Sequence, residues 1–182
     1  DLYLITTNLG YDLDISAWDI RKALCHLLKS NASFLEWLQS PIVYQGDCFI
    51  EKLQPFVEKI FNPLHVSFHY ASMFRHALEG MDDEGFISVK KLCYALRASC
   101  AARWIVANET MPPTEFVRIL DGIDLTSSEL TAIDELLFVK ADAKEGTKIR
   151  PPAAFSMLLQ DKYDELSSHS WNKTSKNLVS IR

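Results

Sequence analysis

From Gly85 to Asn108 the chain runs for 24 residues without an acidic side chain, and this segment most constrains the fold. Ser88 is a fitting N-cap and Thr110-Met111-Pro112-Pro113 is a stop, so the pattern predicts a helix from about Ile87 to Asn108. Nearly every position in it is apolar or small. A helix that is apolar on most sides is stable only when other helices surround it. Four cations, Lys90, Lys91, Arg97 and Arg103, must therefore be accommodated in or around a core.

At 100° per residue Lys90, Tyr94, Arg97, Ala101 and Trp104 share one stripe, cations interleaved with aromatics. Such a stripe suits a nucleotide, since rings can stack on bases and cations can meet phosphates. Arg103 falls instead among Val89, Leu96 and Ala107. A buried guanidinium needs a carboxylate or a phosphate, because an unpaired buried charge is very costly. An interhelical ion pair, for example with Glu36, and an anionic ligand are both open readings.

Around this helix the remaining segments also read as helical. Ser16 with Asp19 has capping-box spacing and opens a helix to about Lys29; Ser33 with Glu36 repeats it for a short helix ended by Ser40-Pro41. Asp47 can start a third, which Pro55 is expected to kink or divide. Asn62-Pro63 is an N-cap followed by an N1 proline, leading a helix to about Glu79. Met81 to Gly85 is an acidic turn. Helices near 114–121, 127–141 and 151–167 follow, and the polar residues 168–182 form a tail.

The first fifteen residues differ. Leu2 to Thr7 and Tyr11 to Ile15 are short β-prone segments around Asn8-Leu9-Gly10, a hairpin signal. The period of two puts Asp12 and Asp14 on one strand face. Two carboxylates so placed can hold a divalent cation, or simply form a solvated edge that discourages aggregation. The expected fold is mainly α: a helical bundle with a short N-terminal β-hairpin. A lone hairpin is marginal in water, so it should pair with more sheet, with the helices or with a partner, a second copy of the chain (a homodimer) among them.

Composition narrows the functional classes. A net charge of −5 argues against a protein that grips nucleic acid over its whole surface, but allows a local basic pocket. No apolar run approaches the roughly 18–20 residues of a membrane span, and Asp1 to Thr6 lacks the pattern of a signal peptide. Cys25, Cys48, Cys93 and Cys100 include no C-x-x-C pair and sit in apolar patterns, which predicts free buried thiols and a cytoplasmic chain. Lys22, His26 and Lys29 line the helix face opposite Ile20, Leu24, Leu27 and Leu28, and with the Asp pair they could hold metal and phosphate together; an ordinary solvated face is the alternative. His65, His69 and His76 share a stripe, which reads better as an aromatic interior face than as a zinc site.

Several blocks together resemble a family of bacterial nucleotidyltransferases in the DNA polymerase β superfamily, linked to RNA repair. They are Asp12-Leu13-Asp14-Ile15-Ser16-Ala17-Trp18-Asp19-Ile20-Arg21-Lys22-Ala23-Leu24, Lys29-Ser30-Asn31, Leu35-Glu36-Trp37-Leu38, and the run from Lys91 and Tyr94 through Leu96-Arg97 to Ala101-Ala102-Arg103-Trp104. The resemblance spans roughly residues 11–120. It implies transfer of a nucleoside monophosphate from a nucleoside triphosphate, with Mg²⁺ or Mn²⁺ as cofactor and RNA among the acceptors. It makes Asp14 the catalytic, metal-binding carboxylate, with Asp12 beside it. Lys22, Lys91, Tyr94, Arg97 and Arg103 become nucleotide- or phosphate-binding candidates, Tyr94 or Trp104 contacting a base. It also divides the chain into a β remnant of the nucleotidyltransferase core (1–15), a helical domain (16–167) and the tail. The family's Gly-Ser turn and first Asp-x-Asp pair belong ahead of this region, so this chain alone is expected not to turn over. A non-catalytic helical module that binds a nucleotide or a protein is the competing expectation.

Overall fold

The structure, a computed structural model, describes residues 4–8, 14–44, 48–152 and 155. It is mainly α, with seven helices among the described residues and two small antiparallel sheets. The hairpin is present: β1 (Leu4–Asn8) pairs with β2 (Asp14–Trp18), from Leu4 opposite Trp18 to Asn8 opposite Asp14. The second strand runs later than expected. Ser16 lies within it rather than capping a helix, and Asp19 caps α1 (Ile20–Leu28) by accepting the Arg21 N–H at 2.9 Å. Ser16 and Asp19 have the spacing of a capping box, but Ile15, Ala17 and Trp18 extend the ladder through it. Tyr11 to Leu13, Asp12 included, lie outside the described residues.

Asn31, not Ser33, caps α2 (Ala32–Leu38), its side chain accepting from Phe34 N at 3.1 Å. Pro55 neither stops nor divides α3 (Cys48–Ile60). Leu53 and Val57, on either side of it, are both buried in the same core cluster and hold the helix together across the missing donor. The Asn62 cap and N1 proline open α4 (Pro63–Leu78) as the sequence indicates. Ser30 clamps this half: its hydroxyl donates to the Ile60 carbonyl at 2.8 Å and accepts from Asn62 N at 3.1 Å, joining the α1–α2 turn to the α3–α4 turn.

Ser88 caps α5 (Val89–Asn108), which packs along α4 and is the column of the fold. Its first turns place Val89, Leu92, Leu96 and Cys100 in one cluster, together with α6 (Phe116–Asp121), α7 (Ser127–Asp142) and Phe155. Its later turns place Ala98, Ala101, Ala102 and Ile105 in a second cluster with α1 to α4. Thr126 and Glu129 form a full capping box at the start of α7. Unforeseen in the sequence is a two-residue ladder, β3 (Ile87–Ser88) on β4 (Lys148–Ile149), which ties the start of α5 to the chain after α7. The thiols divide. Cys100 is buried, and burial pushes it up to about 12, but Cys25 is exposed, contrary to expectation, because it sits on the outer side of α1. The tail, and the expected 151–167 helix beyond Phe155, lie outside the described residues. No described helix is long and apolar enough to cross a membrane.

Because α5 serves both clusters, a cavity in it should be felt by the whole fold. Leu92→Ala removes a side chain that is 0% exposed and should cost about 2–5 kcal/mol by urea denaturation. Phe138→Ser, at a position 73% exposed, should change stability by less than about 0.5 kcal/mol.

Candidate functional site

The polar centre of the molecule is built where α2, α4 and α5 meet. Glu36 Oε1 accepts a 2.6 Å hydrogen bond from the Tyr70 hydroxyl and a 3.3 Å bond from Arg97 Nη2. Each contact follows from its helix: Tyr70 is 1% exposed on the face of α4 against α5, while Arg97 sits at the margin of the α5 stripe, where its side chain is about a quarter exposed. Burial, and then the neighbouring Glu36 charge, push the Tyr70 hydroxyl well above its ordinary value of 10.0, so it remains a donor. The ion pair is thus reinforced by a neutral third group, and the guanidinium keeps access to solvent.

Next to this centre lies an aromatic wall. Trp18, the last residue of β2, is 4.6 Å from the His26 ring, 4.5 Å from Trp37 and stacked on Phe34 at 5.9 Å. The Lys22 ammonium stands 5.2 Å from the centre of the Trp18 ring, a cation–π contact. Lys22 and His26 therefore sit against a ring surface, while Lys29 is exposed at the end of α1. His26 is held below its ordinary 6.5 by partial burial and by Lys22 and Lys29. His69 joins the wall to the Glu36 centre: burial lowers it, Glu36 pulls it partly back, and His26 pushes it down again. Asp14 opens β2 opposite Asn8, four residues before Trp18 and so about 13 Å away along the strand.

The other sequence candidates lie elsewhere. Arg103 does not pair with Glu36. It crosses to α7, where Nη2 meets Glu129 Oε1 at 3.0 Å with both side chains nearly nine-tenths buried, while its Nη1 is buried without a protein partner among the described residues. The reason is angular: Arg103 faces the α6–α7 side of α5, and Arg97 faces α2. Burial pushes Glu129 up, but hydrogen bonds from Thr126 and the Arg103 charge outweigh it and leave the carboxylate below its ordinary range. Lys91 is exposed and lies against Gly80. Tyr94 is 57% exposed and lines a separate groove described below. Trp104 packs against both clusters, lies on Gly122 and donates to Thr110 at 3.1 Å. Sequence reasoning missed Tyr70, Trp18 and Trp37, and matched Glu36 to the wrong arginine. A hydroxyl 34 residues away along the chain carries no sequence signal for its carboxylate.

Metal chemistry receives little from the described residues alone. No group of three or more His, Cys, Asp or Glu among them could hold a metal ion. His76 is engaged with Glu79 at 2.9 Å on the surface and His65 is exposed, so the histidine stripe is not the interior face expected; only His69 is partly buried, meeting the Tyr70 ring edge-on at 6.3 Å. Asp14 alone is too few donors for Mg²⁺, which takes about six oxygens.

The fold and this centre define a mainly helical chain whose N-terminal hairpin leads directly into a cation- and aromatic-lined surface. The chain belongs to the RNA repair pathway DNA polymerase beta family, RlaP, whose model matches residues 4–179. It is similar to the uncharacterized protein YcgL of Bacillus subtilis (strain 168), with 35% identity over 126 residues, 69% of this chain and 48% of that protein. The chain thus spans about half the length of this curated relative. No solved structure matches it.

His69 gives the centre a pH signature. Its folded value lies below the ordinary 6.5, so the unfolded chain takes up the proton first as pH falls. That contribution to stability is present above pH 6.5 and is lost as pH drops through the folded value. Urea midpoints measured from pH 7.5 to 5 should fall for the wild-type chain, and His69→Asn should flatten part of that fall.

Proposed function

We propose that this chain takes part in nucleotidyl transfer, supplying the mainly helical part that receives a nucleoside triphosphate. The family-model match carries the reading, and the Arg97–Glu36–Tyr70 centre beside Lys22 is the observation of chemistry that supports it. In such a transfer an acceptor hydroxyl attacks the α-phosphorus and pyrophosphate leaves, so negative charge grows on the departing oxygens. Preplaced cations stabilise that charge without reorganising. Arg97 meets this need: a guanidinium has five N–H donors, and the bond to Glu36 uses only Nη2. Glu36 holds the guanidinium in place, and Tyr70 takes up part of the carboxylate's acceptor capacity. Lys22 brings the second positive charge across the Trp18 ring, and Trp37, half exposed, offers a face to a base.

Asp14 enters as one carboxylate toward a divalent cation, with Asp12 a candidate second; the ion would supply Lewis-acid charge at the phosphates when bound. Arg103, occupied by Glu129, serves packing in this reading. Residues 1–15 would belong to the catalytic core and 16–167 to the helical domain. The competing reading, a non-catalytic module, draws on the fact that Glu36 already neutralises Arg97.

Mg²⁺-dependent ATP binding that needs Asp14 separates the two, read by quenching of tryptophan fluorescence with and without Mg²⁺. Arg97→Gln and Lys22→Ala should each weaken ATP by about tenfold, the worth of one charge-assisted contact. Asp14→Ala should remove the Mg²⁺ dependence while leaving the melting temperature unchanged. ATP affinity absent from the wild-type chain, or equal in all four proteins, contradicts the proposal.

A further inference from the structure

A second recess lies at the other end of the α5 stripe and shares no lining residue with the Arg97 centre. Its volume is about 420 Å³, and its walls come from the first turns of α5 (Val89, Lys90, Cys93, Tyr94) and from the end of α7 with the turn after it (Lys140, Lys144, Gly146). The walls are braced. Val89 N donates to the Thr147 carbonyl at 2.9 Å, Thr147 N to the Lys144 carbonyl at 3.1 Å, and the turn closes through Gly146 at a φ of 83°, which favours glycine. The β3–β4 ladder fixes the same turn from below.

Charge is distributed unevenly here. Lys148 and Arg150, which follow the turn, are engaged with the acidic 81–85 loop: Lys148 meets Asp82 at 2.9 Å, and Arg150 donates to the Glu84 carbonyl at 2.8 Å. Lys90, Lys140 and Lys144 have no ion-pair partner among the described residues, and Glu145 is the groove's one acidic lining residue. A chain of net charge −5 thus gathers three unpaired lysines and one glutamate, a local excess of positive charge, around a single exposed ring, that of Tyr94. Cations flanking an open aromatic face are what a single nucleic-acid strand requires, phosphates on the ammonium groups and a base on the ring. An acidic peptide would use the lysines but gain little from the ring. The recess is also of the size that encloses one small-molecule unit, about 300–1,000 Å³.

Resting on the nucleotidyl-transfer reading and naming its acceptor class, we propose that this groove binds single-stranded nucleic acid, with a base on Tyr94 and the backbone on Lys90, Lys140 and Lys144. The placement is coherent with transfer: Tyr94 and Arg97 are three residues apart on one helix, hence neighbours roughly 5–6 Å apart at their Cβ atoms. A strand leaving the groove along α5 reaches the Arg97 centre within one turn.

Fluorescence anisotropy on the full 182-residue chain tests this with labelled ten-nucleotide oligo(A) RNA and the corresponding DNA, over a range of salt. The wild-type chain should bind at least one of them. Lys140→Glu/Lys144→Glu should weaken binding at least about tenfold and flatten the log–log salt dependence by roughly 1.4, the share of two phosphate contacts. Tyr94→Ala should cost about tenfold, and Tyr94→Phe should restore the affinity because the ring is kept. Melting temperatures and ATP affinity, measured on the same samples, should stay at wild-type values. Oligonucleotide binding that is absent, or unchanged in the lysine and Tyr94→Ala variants while ATP still binds, overturns the groove and leaves nucleotidyl transfer standing. So does a poly-glutamate peptide that competes as well as the oligonucleotide. Oligonucleotide binding lost in those variants, in a chain that never binds ATP, supports the groove and counts against transfer.

Discussion

Burying an almost wholly apolar helix that carries two arginines is the constraint on which this structure depends. Once α5 is surrounded, neither guanidinium can be left without a counter-charge, since breaking a buried pair typically costs about 3–5 kcal/mol. The helix answers with carboxylates on opposite sides. Arg97 goes to Glu36 on α2, and Arg103 goes to Glu129 on α7. These two ion pairs pin the flanking helical layers to one column, and they differ in a way that separates roles. The Arg103 pair is nearly enclosed and is further tied down by the Thr126 capping box, whereas the Arg97 pair keeps about a quarter of each side chain in solvent.

That difference in exposure leaves a solvent-accessible guanidinium on one side of α5 only. An enclosed ion pair cannot exchange its partner for a phosphate without opening the core. A pair at the edge can, because about a quarter of its guanidinium side chain is in solvent and its carboxylate is shared with a hydroxyl. The hairpin contributes by ending in Trp18, whose ring organises Lys22, His26 and Trp37 around the entrance. Strand, cation and aromatic wall are consecutive in the chain, so the 14–38 stretch supplies Trp18, Lys22, His26 and Trp37 together with Glu36.

Much of this was legible in the residues. The acid-free segment, its Ser88 cap and its Pro112-Pro113 stop located α5, and the Asn62-Pro63 signal located α4, because caps and prolines act locally. The resemblance carried by Asp12 to Leu24 and by Lys91 to Trp104 gave the family. Among the features that were not legible, three have a clear physical reason. Pairing of Leu4 with Trp18 is decided by a partner strand, and the Ser16–Asp19 spacing mimics a cap. Pro55 stays inside α3 because burial on either side outweighs one lost hydrogen bond. Which carboxylate meets which arginine depends on the rotation of three helices, and nothing local to Arg97 or Arg103 encodes that.

Hydrogen–deuterium exchange of the chain with and without ATP and Mg²⁺ tests the central claim most directly. If the Arg97 centre and its aromatic wall receive the triphosphate, amides within residues 14–38 and in α4 around His69 and Tyr70 should exchange more slowly, while α6 and the start of α7 stay unchanged. Protection confined to α6 and α7, or no change anywhere at saturating ATP, would contradict it.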